Sequence, residues 1–189
     1  MKHVILIGDS IRMGYQDGVR AHLAEIAEVW APAENGGDSR NVLAHLEEWI
    51  LSRDADLVHV NCGLHDLKRE FGAPEPAVPL PEYRRNVEQI LRAVLDQTRS
   101  KAVWAATTPV NEAWHRENKP FDRVEEDFNA YRRAAAEVCR DLGVPIDDLF
   151  EAITAAGRDE LLLPDGVHFT EDGYALLARR VAECLRAHL

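Results

Sequence analysis

The chain has little with which to grip a polyanion. Its 22 lysines and arginines stand against 33 aspartates and glutamates, a formal net charge of −11, and nucleic-acid backbones and anionic lipid both call for clustered basic residues. No apolar run approaches the length that spans a bilayer. The stretch after Met1-Lys2-His3 is only Val4 to Ile7, too short for a secretory signal. Cysteine is scarce too: Cys62, Cys139 and Cys184 form no C-x-x-C pair, which excludes a disulfide framework and a cysteine zinc site and suits reduced thiols in the cytoplasm. His3, His22, His45, His59, His115 and His188 show no H-x-x-x-H or related spacing, so no metal is expected. A nucleic-acid partner and a membrane partner are both unexpected.

What is present is the composition of a globular protein. Hydrophobic residues at 46% and charged residues at 29% argue against disorder, and 189 residues suffice for one core without staples. Apolar runs at Val4 to Ile7, Glu28 to Pro32, Leu57 to Val60, Ala102 to Ala106 and Val144 to Ile146 predict five strands. Helical spacing predicts helices over Met13 to Ala27, around Val42 to Ile50, from Tyr83 to Val94 and from Val124 to Val138. A short helix over Leu149 to Ala156 and a closing one after Thr170 complete the set. Phe71 to Pro81, with four prolines, reads as a loop, as do the polar stretch to Asp122 and Leu161 to Thr170. Strands alternating with helices, with no linker or repeat, predict one domain over 1–189, an α/β fold built as a three-layer α/β/α sandwich around a parallel sheet.

In such sheets the chemistry lies beyond the carboxyl ends of the strands. The first strand runs into Gly8-Asp9-Ser10, the second into Gly36-Gly37-Asp38-Ser39, the third into Gly63-Leu64-His65-Asp66, and the last loop carries Asp165-Gly166-Val167-His168. A serine after a strand is, taken alone, most often a helix cap. With a histidine as base it becomes a nucleophile, and a carboxylate can hold the imidazole in the required tautomer. Ser10, His168 and Asp165 are the candidates, with the oxyanion met by the Ser10 and Gly37 backbones and the His65 side chain. Gly37 is preferred to Gly36 because Asp38 and Ser39 follow it. Arg12, Arg40, Lys68 and Arg69 fall near the mouth and read as solvated surface charge.

These four blocks, in this order and spanning residues 8 to 168, resemble the SGNH, or GDSL, hydrolase superfamily. The resemblance implies a flavodoxin-like five-stranded parallel sheet. It makes Ser10 the nucleophile, Asp165 and His168 the rest of the triad, and the Ser10 and Gly37 backbones oxyanion donors. It implies an esterase, lipase, thioesterase or carbohydrate deacetylase that acts on a small-molecule ester without a metal or other cofactor. The compact chain favours a short acyl group of the acetyl kind.

The chain departs from the family where the third block normally has Asn two residues after Gly and here has His65. Neutral imidazole offers one N–H where an amide offers two, so activity with an altered pH dependence is expected. His65 has a second possible role, as a structural histidine bonded to Asp66 or to backbone. Two other functions stay open at this level: a binding protein that keeps the fold but has lost turnover, and an acyltransferase.

Overall fold

The computed structural model describes all residues, Met1–Leu189. The elements run β1 (Lys2–Ile7), α1 (Ser10–Leu23), β2 (Ala27–Trp30), α2 (Ser39–Ala44), a wide turn over Glu47–Leu51, β3 (Leu57–Val60), β4 (Arg69–Glu70), α3 (Leu80–Gln97) and β5 (Lys101–Ala105). They continue with α4 (Glu112–Asn118), β6 (Phe121–Asp122), α5 (Glu125–Leu142), β7 (Ile146–Asp147), α6 (Leu149–Ala155), α7 (Arg158–Leu161) and α8 (Glu171–His188). Strands β1, β2, β3, β5 and β7 form one parallel sheet in the order β2-β1-β3-β5-β7. This is the doubly wound, flavodoxin-like arrangement, with its topological switch beside β1.

The sheet is central because its strands are apolar on both faces. Val4 to Ile7 and Leu57 to Val60 are buried at every position, which only helices on both sides can achieve. Helix α1 packs with α8 and α3 with α5, each turning an apolar stripe inward, such as Tyr83, Val87, Ile90, Leu91 and Val94 on α3. One polar group in β3 is fully buried. The Nε2 of His59 lies 3.2 Å from Oδ2 of Asp147, whose Oδ1 accepts from Arg180 of α8 at 2.9 Å. His59 is therefore a packed and paired histidine.

Several boundaries differ from the sequence expectation. Helix α1 starts at Ser10, not Met13, because the Asp9 carboxylate caps it by accepting from the Ile11 N–H at 2.9 Å. It ends by Leu23; Ile26 is exposed and Ala27 already belongs to β2. The helix expected through Ile50 breaks after Ala44 into the wide turn. The fifth strand is Ile146–Asp147, shifted toward the site end of the expected segment. The loop expected up to Asp122 contains α4, capped by Asn111 accepting from the Trp114 N–H, and β6, which pairs antiparallel with β4. The short α7 runs up to the start of the last loop, which is closed by a bridge between Leu162 and Phe169.

Candidate active site

The turn after β1 and the first residue of α1 place Ser10 at the carboxyl edge of the sheet, partly exposed. Its Oγ lies 2.9 Å from Nε2 of His168, and Nδ1 of that ring lies 2.6 Å from Oδ2 of Asp165. Residues 158 apart in sequence thus meet in one hydrogen-bonded line. In that line Nδ1 carries the proton, so Nε2 is free to accept one from the hydroxyl.

The last loop is built to hold this geometry. Asp165 Oδ1 accepts from the backbone N–H groups of Val167 and His168, at 3.0 and 2.9 Å. The loop closes on itself through the Leu163 N–H to the His168 carbonyl at 2.7 Å. Gly166 has φ +72°, and a Cβ there would fall 2.6 Å from the Asn111 carbonyl oxygen, so glycine lets α4 dock directly on the turn. The end of α4 supplies Lys119, whose Nζ sits 3.0 Å from Asp165 Oδ2. Partial burial works against ionisation of Asp165, but the bonds from His168, Val167 and Lys119 outweigh it and hold the carboxyl well below the usual range. Asp165 is therefore an anion at any working pH.

The candidate oxyanion donors are less uniform. Ser10 N–H, at the first position of α1, has no acceptor in the chain. The turn after β2 lies against that after β1: Gly36 N–H donates to the Gly8 carbonyl at 3.0 Å, and a Cβ on Gly36 would reach 2.7 Å from that oxygen. The Gly37 N–H donates to Asn35 Oδ1 at 2.8 Å, so it serves an oxyanion only by sharing or releasing that bond. His65 is partly buried beside the site; burial, followed by the Asp9 carboxylate (which opposes it) and the Arg123 cation, sets its pKa below the ordinary imidazole value. It is thus neutral through most of the working range.

Asp66 makes its hydrogen bonds to Ser39, not to His65. Both its oxygens accept from the Ser39 N–H, at 3.0 and 3.1 Å, and Asn86 donates to Ser39 Oγ at 2.8 Å. This network ties the third block to the start of α2. Burial raises the Asp66 pKa to about 7, against the bonds from Ser39 that lower it. An unfolded aspartate titrates near ~4, so between about 4 and about 7 the folded chain keeps a proton that the unfolded chain has lost. Stability contributed by that proton is present at acid pH and drains away as pH rises through the interval. Asp66→Asn should flatten this fall. Urea unfolding at pH 5 and pH 8 checks it, and an equal drop in variant and parent would rule it out.

Three further residues take roles here that the sequence reading does not give them. Lys119 is one. Arg12 is another: its side chain is buried, not solvated, and donates to the carbonyls of Gly8, Pro32 and Glu34, bracing the first turn against the second. The third is Arg123, which donates to the Leu64 carbonyl at 2.7 Å. Arg40, Lys68 and Arg69 are surface cations paired with Glu82, Glu70 and Asp127. Trp114 packs on the core, with its Cβ beside Gly166. A cavity of about 390 Å³ lined by Val110, Phe128, Phe150, Arg116 and Arg158 includes none of Ser10, Asp165 and His168. No cluster of three metal-ligating side chains occurs, and no helix is long and apolar enough to cross a membrane.

Comparison with known proteins gives a family from sequence and a shared fold from shape. The curated GDSL esterase/lipase CPRD49 of Arabidopsis thaliana is 27% identical over 203 residues, covering 97% of this chain and 78% of that protein. The crystal structure of the lipase/acylhydrolase from Enterococcus faecalis superposes with a TM-score of 0.84 at 22% identity, covering all of this chain and 97% of the other. Axe2, an acetylxylan esterase from Geobacillus stearothermophilus, superposes at 0.78 with 20% identity, covering 96% and 93%. The profile of the GDSL-like Lipase/Acylhydrolase family matches residues 6–176. The chain belongs to the GDSL-like lipase/acylhydrolase family and is a carboxylic ester hydrolase.

Proposed function

We propose that the chain hydrolyses small carboxylic esters with short, acetyl-type acyl groups through an acyl-enzyme on Ser10. The observation that carries this reading is the hydrogen-bonded line from Ser10 Oγ through His168 to Asp165, at 2.9 and 2.6 Å. Ser10 Oγ attacks the ester carbonyl as His168 Nε2 takes its proton. Asp165 steadies the imidazolium, and the alcohol leaves with the proton from Nε2. Water then attacks the acyl-enzyme with His168 again as base, restoring Ser10. The oxyanion is met by the Ser10 N–H, by the Gly37 N–H as it leaves Asn35, and by one N–H of His65. The fold shared with acetyl xylan esterases supports the short acyl group. The three free, buried cysteines support a reducing, cytoplasmic setting.

Hydrolysis of p-nitrophenyl esters from acetate to long-chain homologues tests the proposal. Turnover that is fastest on acetate and falls with chain length is expected. No turnover on any member, or a preference for the longest, would contradict it.

His65 gives a separate prediction. Loss of one oxyanion donor typically costs ~100- to 1000-fold in kcat, so His65→Ala should fall in that range and His65→Asn should recover most of the loss. Because the His65 pKa is lowered, the wild-type and His65→Asn pH–rate profiles should part only on the acid side of the ordinary imidazole range. Full activity in His65→Ala would make His65 structural.

A further inference from the structure

Arg123 is a buried cation for which the chain provides no anion at contact distance. The β4–β6 pairing carries it from the loop after β5 onto the third block. Its side chain is 5% exposed. Nε donates to the Leu64 carbonyl at 2.7 Å, and Nη1 lies 2.8 Å from Nε2 of His115. That imidazole is itself fully buried, and burial followed by the Arg123 charge pushes its pKa down to about 4. It is therefore neutral and accepts from Arg123, leaving its Nδ1 proton buried without a partner. Both partners of the guanidinium are thus uncharged.

The remaining edge of the guanidinium is free. Nη2 has no acceptor in the chain, and it is not among the polar atoms sealed from solvent without a partner. The carboxylates whose charge acts on Arg123 are Asp9 and Asp165, which stand beside the nucleophile and the general base. Burial lowers the Arg123 pKa only to about 10, so the group is cationic at neutral pH. Holding a guanidinium among neutral partners is costly unless an anion joins it, and its planar fork suits a carboxylate better than any other common group. The chain's net charge of −11 repels anions at long range, so any carboxylate must be held by this local contact.

We infer that Arg123 is a specificity residue that receives a carboxylate of the substrate, so that the preferred esters are those bearing a carboxylate within reach of the scissile bond. This rests on the esterase reading above and adds the substrate class to it. The carboxylate belongs to the acyl part or to the alcohol part of the ester. Two matched pairs tell these apart: monomethyl succinate against methyl butyrate, and 4-acetoxybenzoate against its methyl ester.

Wild-type enzyme should favour the charged member of one pair by roughly 10- to 100-fold in kcat/KM, the scale of one charge-assisted hydrogen bond. Arg123→Met should remove the preference and Arg123→Lys should keep part of it. Neutral members hydrolysed as fast as, or faster than, the charged ones in both pairs by the wild type would overturn the inference, whether or not the variants fold. A binding measurement separates this failure from failure of the serine mechanism. Succinate or 4-hydroxybenzoate should bind Ser10→Ala saturably, and at least about tenfold more weakly once Arg123→Met is added. Absence of saturable binding by either anion, or equal binding with Arg123→Met, overturns the carboxylate site independently of turnover.

Discussion

Ser10→Ala should lower kcat by roughly 10⁴- to 10⁶-fold, the range over which loss of a serine nucleophile leaves only oxyanion and binding contributions. The prediction is clean because Ser10 is not what holds its own helix. Asp9 caps α1 through the Ile11 N–H, and alanine is the better helix former at the first helical position. The hydroxyl's hydrogen bond is to Nε2 of His168 at 2.9 Å. Thermal unfolding of the variant should therefore match the parent while ester hydrolysis disappears. Retained turnover would move the nucleophile elsewhere. Lost turnover together with collapsed stability would show that Ser10 is a structural residue.

Asp165→Asn should cost about 10⁴-fold in kcat with little change in KM. The carboxylate uses its two oxygens differently. Oδ1 takes two backbone N–H groups, and Oδ2 faces His168 Nδ1 at 2.6 Å and Lys119 at 3.0 Å. An asparagine keeps its carbonyl on the backbone donors, which turns its NH₂ toward the ring and toward Lys119. His168 must then accept at Nδ1 and hold its proton at Nε2, where it can no longer take one from Ser10. Steady-state kinetics, with circular dichroism to show an intact fold, checks this. Activity within about tenfold of the parent would leave Asp165 a loop brace.

The four blocks are legible because each is short and local, and three of them follow a strand, so periodicity and small residues mark their places. The strand at Leu57–Val60 is read to the residue, and Ser10, His168 and Asp165, named from spacing and chemistry, do meet in space. The supports of the site are not legible in the same way. Helix α4 has a polar sequence and a single buried residue, His115, so no apolar stripe announces it; only the cap at Asn111 and the acidic Glu112 behind it hint at a start. Lys119 and Arg123 are single cations in that loop, and their roles exist only once β4 and β6 pair. Arg12 sits on a helix face where solvent is the usual environment, and only the return of the chain at Pro32 and Glu34 encloses it. Asn35, which occupies the Gly37 N–H, is a turn residue in any sequence reading.

The most direct test of the mechanism is to treat the enzyme with a fluorophosphonate ester, which phosphonylates an activated serine, and to locate the adduct by peptide mass spectrometry. A single adduct on Ser10, formed in step with loss of hydrolysis, absent in Ser10→Ala and strongly slowed in Asp165→Asn, is the predicted result. Hydrolysis that persists without an adduct, or an adduct on any other residue, would contradict the acyl-enzyme account.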